Sequence, residues 1–295
     1  MKIIITGATG FIGSAACEMF ADKGCDVAAV TRDTSAAAMK GLRYISWEAL
    51  DGEADGADAI INLAGENIGA SRWTRARMDS LMASRVMAGT RVANAVKKAK
   101  KKPGLLIQAS AAGFYGDRKD EEITEESAPG KGFLAEVCAA WEGSTLAVEK
   151  AGVRRCVLRM GVVLGRGGFL KKIETPFRFF LGGPMGSGLQ KISWIHIEDL
   201  LSLFRFCVEN KSAAGIYNAC SPNPATNREL SSALGKALKR PSFFRAPETA
   251  LKLLLGKMAD EAILTGASVL PARLMKEGFV FRYYDIEEAL KEIYG

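Results

Sequence analysis

Histidine is nearly absent from this sequence, and its cysteines are few and scattered. The 295 residues contain one histidine, His196, and six cysteines, none of them in a C-x-x-C pair. Zinc sites are built from clustered histidine, cysteine and acidic ligands, and no such spacing occurs, so we expect no metal. The scattered cysteines favour buried, reduced thiols of a cytosolic protein over a disulfide framework.

The sequence also lacks long apolar runs, repeats and low-complexity linkers. No segment approaches the roughly 20 apolar residues that cross a bilayer as a helix. A strand motif begins within the first few residues, so we expect no signal peptide before it. Together these absences predict a soluble, cytoplasmic protein that has no membrane partner.

Positive charge exceeds negative charge, with 40 lysines and arginines against 33 acidic residues and a net charge of +7. The densest cluster, over 97–102, closes a predicted helix just before Pro103. Cations at that end of a helix complement its dipole. A nucleic-acid surface is the alternative, but interleaved aromatics and a recognisable binding module are missing. We therefore expect a solvated helix end and no nucleic-acid partner.

The first thirteen residues carry the strongest positive signal. Ile3–Ile5 predict a short strand, three glycines spaced three apart follow, and an apolar helical pattern begins at the second of them. Glycines at such a turn let the backbone approach a pyrophosphate, and the helix directs its N–H groups and positive dipole end at the phosphates. A purely structural glycine turn is the alternative. The order of strand, glycines and helix predicts a dinucleotide site. Its expected contacts are Gly7, Thr9, Gly10, Phe11, Ile12 and Gly13.

The end of the second predicted strand indicates which dinucleotide is bound. An NAD site places Asp or Glu there, against the ribose 2′-hydroxyl. Here the strand ends in Thr31 and Arg32, and a hydroxyl beside a guanidinium suits a 2′-phosphate. A surface cation is the alternative for Arg32, and a shift of one residue would bring Asp33 to the ribose. We expect the cofactor to be NADP(H).

Apolar stretches alternate with helical patterns through the first half of the chain, which is typical of a parallel sheet with helices on both faces. We predict strands over 59–62, 105–109 and 155–158 and helices over 74–99 and 133–150. The expected fold class is α/β. It comprises a Rossmann-like, doubly wound parallel sheet and a smaller, mainly helical C-terminal domain on the substrate side.

The sequence changes character after Arg159. Two glycine-rich segments, 161–168 and 181–188, precede a predicted strand over 194–197 and a predicted helix over 198–208, and short helices follow from about residue 227. We expect an NADP-binding Rossmann domain over 1–165, to which 190–222 returns. A substrate-side domain is expected over 166–295, with a helical region over 244–292. A ligand cleft is expected between the two parts.

Several motifs resemble those of the extended short-chain dehydrogenase/reductases, the relatives of sugar-nucleotide epimerases and dehydratases. The matching segments are 6–13, 62–65, 110–116, 159 and 194–199. The chain resembles more closely an atypical, YfcH-like group of epimerase family proteins, through 62–67, 84–90, 141–142, 161–165, 176–188 and 244–290. The resemblance spans essentially the whole chain and implies a Rossmann-like, dinucleotide-binding fold.

The resemblance also implies cofactor contacts beyond the glycine turn. Leu63, Ala64 and Gly65 follow the fourth-strand motif, and Leu63 and Ala64 are expected to wall the adenine and nicotinamide together with Val163. Arg85 is expected to contact the cofactor, and its guanidinium suits a bidentate contact with the pyrophosphate. A surface charge is the alternative for Arg85.

The sequence departs from the family at its catalytic positions. Enzymes of the family use a Ser or Thr, a Tyr that transfers a proton, and a Lys four residues later that lowers the pKa of the Tyr. The matching positions hold Ala111, Leu134 and Cys138. A methyl group, an isobutyl group and a neutral thiol cannot perform that proton transfer, so we expect the usual triad to be absent.

Tyr115 is the candidate replacement, because its phenol is expected near the nicotinamide end of the fifth strand. Packing against the sheet edge is the alternative for this residue. Arg159, at the end of its strand, is a candidate for a substrate or cofactor contact. The other candidates, each with a structural alternative, are Cys138 as a nucleophile, Glu136 as an acid or base, His196, Glu66 and Asn67.

Two functions are therefore predicted as alternatives. One is an NADP(H)-dependent oxidoreductase or epimerase-like enzyme that uses other acid–base groups. The other is a catalytically silent NADP(H)-binding regulator, which the missing triad favours, since fold alone does not decide function. The expected ligand is a small-molecule substrate of unknown identity, and a homodimer is compatible with the sequence.

Overall fold

A computed structural model describes residues 1–34, 41–119 and 121–295. The strands are β1 (Lys2–Thr6), β2 (Asp26–Val30), β3 (Leu42–Ile45), β4 (Ala59–Asn62), β5 (Leu105–Ala111), β6 (Glu122–Ile123), β7 (Arg154–Met160), β8 (Val162–Leu164), β9 (Lys191–Ile192), β10 (Trp194–His196), β11 (Gly215–Ala219), β12 (Ala225–Thr226) and β13 (Ser268–Val269). The helices are α1 (Phe11–Asp22), α2 (Leu50–Glu53), α3 (Arg75–Lys98), α4 (Phe133–Ser144), α5 (Ala147–Lys150), α6 (Gly168–Arg178), α7 (Ile197–Glu209), α8 (Asn227–Leu238), α9 (Glu248–Leu255), α10 (Lys257–Ala262), α11 (Ala272–Lys276) and α12 (Ile286–Tyr294).

The main sheet has seven strands in the order β11-β7-β5-β4-β1-β2-β3, and the pairs are parallel. The strand order reverses direction at β1, so a crevice opens beyond the carboxyl ends of β1 and β4, where ligands bind in doubly wound sheets. The predicted α/β fold with a doubly wound parallel sheet is confirmed.

Continuous apolar strands explain why helices cover both faces of this sheet. Ile3, Ile4 and Ile5 of β1 are all fully buried, although alternate side chains point to opposite faces. On one face the core contains Phe20 of α1 with residues of α7, and on the other it contains Val92 of α3 with residues of α2. The sheet edge that carries the crevice is thereby held rigidly.

The helix predicted over 133–150 is divided, and this expectation was wrong in its extent. α4 ends at Ser144 and α5 begins at Ala147. The Ser144 hydroxyl donates to the Trp141 carbonyl oxygen at 2.6 Å and the Thr145 hydroxyl to the Glu142 carbonyl oxygen at 3.3 Å. Such side-chain bonds compete with the helical ladder, which accounts for the break.

The rest of the chain forms short sheets and helices. β8 pairs with β10, β9 with β12 and β6 with β13, and α6, α8 and α12 share a separate apolar cluster. The segment 190–222 contains α7 and β11, which pack against or extend the main sheet. The boundaries predicted for the two domains stay a prediction.

Three features of the surface and core complete the fold. The six cysteines all lie in the described part of the chain, and they are free and buried. The Lys102 ammonium donates to the carbonyl oxygens of Lys97 and Ala99, both at 2.7 Å, so the lysine cluster does close α3. Over the described ranges, no helix is both long and apolar enough to cross a membrane.

Candidate functional site

The glycine turn between β1 and α1 forms the floor of the crevice. Gly7 has a φ of +67°, and a Cβ there would lie 2.8 Å from the Leu63 carbonyl carbon. A Cβ at Gly13 would overlap the Gly7 carbonyl oxygen. Both positions therefore need glycine, because only a bare backbone allows this strand–turn–helix packing.

The first turn of α1 is open toward the crevice. Gly10 precedes the helix and provides no side-chain cap, and no acidic residue lies in the first turn. The first N–H groups of a helix have no intrahelical acceptor, and the helix dipole adds positive potential there. Phe11 and Ile12 are partly buried and Thr9 is exposed in the turn. This backbone can hold a phosphate or pyrophosphate.

Strand register brings three predicted segments to the same edge of the sheet. Thr6 is the register partner of Val30 on β2 and of Asn62 on β4. The segments that follow these strands are therefore neighbours, and they contain the predicted residues Gly7, Thr31 and Leu63. The structure thus brings these parts of the predicted cofactor site together.

Thr31 and Arg32 follow β2 directly and differ in exposure. Thr31 is buried, and its hydroxyl accepts a bond from the Asp33 amide at 3.2 Å. Arg32 is exposed, and no residue in the described part of the chain bonds to its guanidinium. A cation at this strand end is available to an anion, as a 2′-phosphate site requires.

A buried polar ladder supports the segment after β4. The Thr6 hydroxyl donates to Asn62 Oδ1 at 2.6 Å, and Asn62 Nδ2 donates to Gln108 Oε1 at 2.9 Å. The Ala64 amide in turn donates to the Thr6 hydroxyl at 3.3 Å. Because these groups satisfy one another in the core, Leu63 and Ala64 are held against the glycine turn.

Phe11 joins the glycine turn to the loop after β8. A Cβ at Gly165 or Gly167 would lie 2.7 or 2.5 Å from atoms of the Phe11 ring. Val163 lies on β8 just before this loop and packs against the same core cluster as Leu63. The loop after β8 therefore packs against Phe11 at the start of α1.

Arg85 lies beside Gly65 and is nine-tenths buried. A Cβ at Gly65 would be 3.2 Å from Arg85 Cζ, and the guanidinium donates to the carbonyl oxygens of Leu81 and Glu66, both at 3.0 Å. Burial lowers the pKa of Arg85, and no carboxylate of a described residue lies within ion-pair distance of it. This adds positive potential below the crevice, while the predicted pyrophosphate contact stays a prediction.

The residues at the three family catalytic positions form an apolar wall at the end of β5. A Cβ at Gly113 would lie 3.3 Å from Leu134 Cβ, and Ala111 contributes a methyl group. Cys138 is buried, and burial raises the pKa of its thiol to about 11. A thiol with that pKa stays protonated at neutral pH, which favours the structural interpretation of Cys138 over a nucleophile.

Tyr115 is fully buried behind this wall. Its hydroxyl donates to Asn218 Oδ1 at 2.7 Å and accepts from Arg159 Nη1 at 2.9 Å. Burial raises the pKa of Tyr115. Because the hydroxyl is satisfied on both sides and has no exposed surface, the geometry favours the packing interpretation. Its role as a proton donor stays a prediction.

Arg159 turns into the core as well. It forms a two-point ion pair with Glu142, from Nε to Oε1 and from Nη2 to Oε2, both at 2.9 Å. Ser110 donates to the same Glu142 Oε1 at 2.6 Å, and Arg159 Cζ lies 3.4 Å from the centroid of the Phe114 ring. We call Ser110, Tyr115, Glu142, Arg159 and Asn218 the Arg159 cluster.

Two of the remaining candidates, Glu66 and His196, take structural roles. Glu66 accepts from Ser80 at 2.8 Å and pairs with Arg77, and the Ser80 bond is the main cause that lowers the pKa of Glu66. His196 is buried and caps α7 by accepting from the Glu198 amide at 3.3 Å. Glu136 is exposed. Over the described residues, no group of three or more histidines, cysteines or acids is placed to hold a metal.

Sequence reasoning missed two structural relationships at the site. Asn218 is the register partner of Arg159, which is itself the partner of Ser110, so only the strand order reveals the Arg159 cluster. The Lys172 ammonium of α6 donates to the Gly69 carbonyl oxygen and links α6 to the segment after β4. No local signal marks that contact, because the two residues are 103 positions apart.

Comparisons with known proteins agree along the whole chain. Residues 3–220 match the NAD dependent epimerase/dehydratase family, and residues 246–293 match a domain of unknown function, DUF1731. The chain is 35% identical over 298 residues to epimerase family protein YfhF of Bacillus subtilis, covering 99% of this chain and 98% of that protein. It is 36% identical to the chloroplastic epimerase family protein SDR39U1 homolog of Arabidopsis thaliana, covering 99% and 86%.

A solved structure is also similar to this chain over its whole length. The crystal structure of human epimerase family protein SDR39U1 (isoform2) with NADPH superposes with a TM-score of 0.91 at 32% identity. The match covers 100% of this chain and 99% of that one. The similarity therefore includes the crevice and the C-terminal helices.

Proposed function

The chain belongs to the NAD dependent epimerase/dehydratase family, and from that premise we propose that it is an NADP(H)-binding oxidoreductase or epimerase-like enzyme. The observation that carries the proposal is the open first turn of α1 on an obligatory glycine turn, with the exposed Arg32 at the adjacent strand end. The similar human protein crystallised with NADPH supports the choice of cofactor.

The residues of the crevice fit NADP(H) group by group. The N–H groups at the start of α1 would hold the pyrophosphate, since a side chain at Gly7 or Gly13 would close that cradle. Arg32 and Thr31 would hold the 2′-phosphate by charge-assisted hydrogen bonds. Leu63, Ala64 and Val163 would pack against the adenine and nicotinamide rings.

The bound cofactor would supply hydride transfer at its nicotinamide. The protein side of that reaction differs from the family pattern, because Ala111, Leu134 and Cys138 offer no group that gives up a proton at neutral pH. We propose that these residues exclude water and orient the ring, and that the substrate itself provides any proton that the reaction needs.

The absence of a proton donor at Ala111, Leu134 and Cys138 also favours a second candidate function. A protein that binds NADP(H) without turning it over would need no proton donor, and both satisfied bonds of the Tyr115 hydroxyl agree with that. Such a protein would report the state of the cofactor to a partner protein.

One experiment tests binding and separates the two functions. NADPH is titrated into the protein, and its oxidation is then followed with a broad panel of carbonyl substrates. Turnover with one substrate class supports the enzyme. Tight binding without turnover, together with a partner whose affinity differs between NADP⁺ and NADPH, supports the regulator. Failure to bind NADPH would overturn both.

We also propose that the protein forms a homodimer through α3 and α4. Both helices carry small or apolar residues that are exposed one turn apart, Ala83 and Met87 on α3 and Ala139 and Gly143 on α4. Light scattering should show a dimer that Met87→Glu converts to a monomer. Met275→Glu, at a similarly exposed methionine elsewhere, is the matched control.

The six free, buried cysteines support a cytoplasmic location.

A further inference from the structure

A cavity of about 680 Å³ lies apart from the dinucleotide crevice, between the segment before α3, the first turns of α3 and α4, and the helices α9 and α10. Its size falls in the range of small-molecule sites, about 300–1,000 Å³. It is lined by Arg72, Trp73, Arg75, Met78, Asp79, Met82, Phe133, Glu136, Lys252, Gly256, Lys257 and Asp260.

The floor of the cavity is apolar and aromatic. Trp73 and Phe133 pack edge to face, with ring centroids 5.3 Å apart and planes at 72°. Trp73 is fixed by a bond from its indole nitrogen to the Ile68 carbonyl oxygen at 2.8 Å. Met78 and Met82 complete the floor with deformable side chains, which suit a flat apolar ligand.

Two cations at the rim have no carboxylate partner among the described residues. Arg75 pairs with Asp79 at 3.5 Å, and Lys252 pairs with Glu248 at 2.7 Å and with Asp260 at 3.2 Å. Three charged side chains are left: two cations, Arg72 and Lys257, and one carboxylate, Glu136. None of the three bonds to another residue in the described ranges through its side chain. Among the lining side chains that form no ion pair, the cations therefore outnumber the carboxylates by two to one.

The backbone holds one of these cations in place. Gly256, between α9 and α10, has a φ of +59°, and a Cβ there would lie 3.0 Å from Arg72 Nε. Any other residue would both strain the turn and push the guanidinium away. Lys257 follows directly at the start of α10, so both cations lie beside the turn between α9 and α10.

From these contacts we infer a second binding site, which takes a small monoanionic molecule with an aromatic or similarly apolar body. Trp73, Phe133 and the methionines bury the body, and Arg72 and Lys257 bind the anionic group. Phe133 lines this cavity, while the next residue, Leu134, belongs to the wall of the dinucleotide crevice.

The test uses 1-anilinonaphthalene-8-sulfonate, a monoanion with aromatic rings, and its uncharged counterpart N-phenyl-1-naphthylamine. Calorimetric titration should give one saturable site for the sulfonate. The double variant Arg72→Gln/Lys257→Gln should lower the affinity for the sulfonate by about tenfold or more, as expected for lost charge-assisted contacts. Binding of the uncharged probe should not change. Both substituted residues are exposed, so the fold should be preserved.

Four further arms locate the probe. Lys97→Gln/Lys100→Gln removes the same charge far from the cavity and should leave the affinity unchanged. Arg240→Gln tests an exposed cation–aromatic pair elsewhere on the surface, Arg240 over Phe180 at 4.8 Å, and should also have no effect on the affinity. Saturating NADPH should not displace the sulfonate. Met78→Trp, which fills the cavity, should lower the affinity for both probes.

The site is overturned if the double variant binds the sulfonate as well as wild type does. It is equally overturned if Arg240→Gln removes the binding or if NADPH displaces the probe, because the probe then sits elsewhere. The results for the double variant and for Arg240→Gln do not depend on whether the chain binds NADP(H), so a failure there is distinguishable from a failure of the proposed function.

Discussion

Arg159 and Glu142 form a two-point ion pair in the core, directly behind the wall that replaces the family's catalytic residues. Both N–O distances are 2.9 Å, and only 3% of the Arg159 side chain is exposed. A buried pair of this kind fixes the ends of β5, β7 and α4 relative to one another, and the crevice depends on that arrangement.

Removing one charge of this pair should destabilise the protein strongly. Glu142→Gln leaves Arg159 buried without a counter-charge, which typically costs about 3–5 kcal/mol. The control is Glu149→Gln, because Glu149 pairs with Arg155 at 2.7 Å but is 47% exposed, and such pairs contribute at most about 1 kcal/mol. Urea unfolding measures both. Equal losses in the two variants would show that the Arg159–Glu142 pair is not what holds these elements.

Tyr115→Phe should affect stability and leave cofactor binding intact. The variant removes a hydroxyl that bonds Asn218 and Arg159, and leaving buried partners unsatisfied costs about 1–3 kcal/mol. NADPH affinity should survive, since the hydroxyl is buried and bonded to Asn218 and Arg159. If the folded variant binds NADPH normally and loses turnover by about 10²-fold or more, Tyr115 is a proton donor after all.

Acid should weaken the fold partly through Glu53. Arg43 donates to both Glu53 oxygens, at 2.6 and 2.7 Å, and this bond is the main cause that lowers the pKa of Glu53 from 4.5 to about 2. A lowered carboxyl pKa stabilises the folded state above the unfolded value, and this contribution is lost as the pH falls from 4.5 toward 2.

The variant Glu53→Gln isolates that contribution. At neutral pH it should be less stable than wild type by roughly 1–2 kcal/mol, a value reduced for partial exposure of the pair. The difference should shrink as the pH falls below 4.5. Glu126→Gln, at an exposed position, is the control and should show neither effect. A pH-independent difference would contradict the assigned cause.

The local features of the site could be predicted from the sequence. Ile3–Ile5 and the glycines after them specify a strand and a turn over a few residues, so β1 and the start of α1 are where the pattern places them. Likewise, Thr74 caps α3 by accepting from the Arg77 amide at 3.2 Å, at the predicted boundary. Short-range sterics and capping decide these elements.

The long-range contacts could not be predicted. Tyr115 and Asn218 are 103 residues apart, and their bond depends on the register of β11 beside β7. Arg159 was expected to face a ligand because it ends a strand, but its partner Glu142 lies on a helix whose rotation the sequence does not reveal. The cavity beside Trp73 likewise exists only because α9 and α10 pack against the start of α4.

The central claim is that the crevice selects NADP(H) through Arg32, and calorimetric titration of NADPH and NADH into wild type and Arg32→Gln tests it most directly. Wild type should bind NADPH more tightly than NADH. Arg32→Gln should lower the affinity for NADPH by about ten- to hundredfold, as expected for a lost charge-assisted contact to phosphate, and should leave the affinity for NADH unchanged. Lys100→Gln should change neither affinity. Equal affinities for both cofactors in wild type, or equal losses for both in Arg32→Gln, would contradict the account.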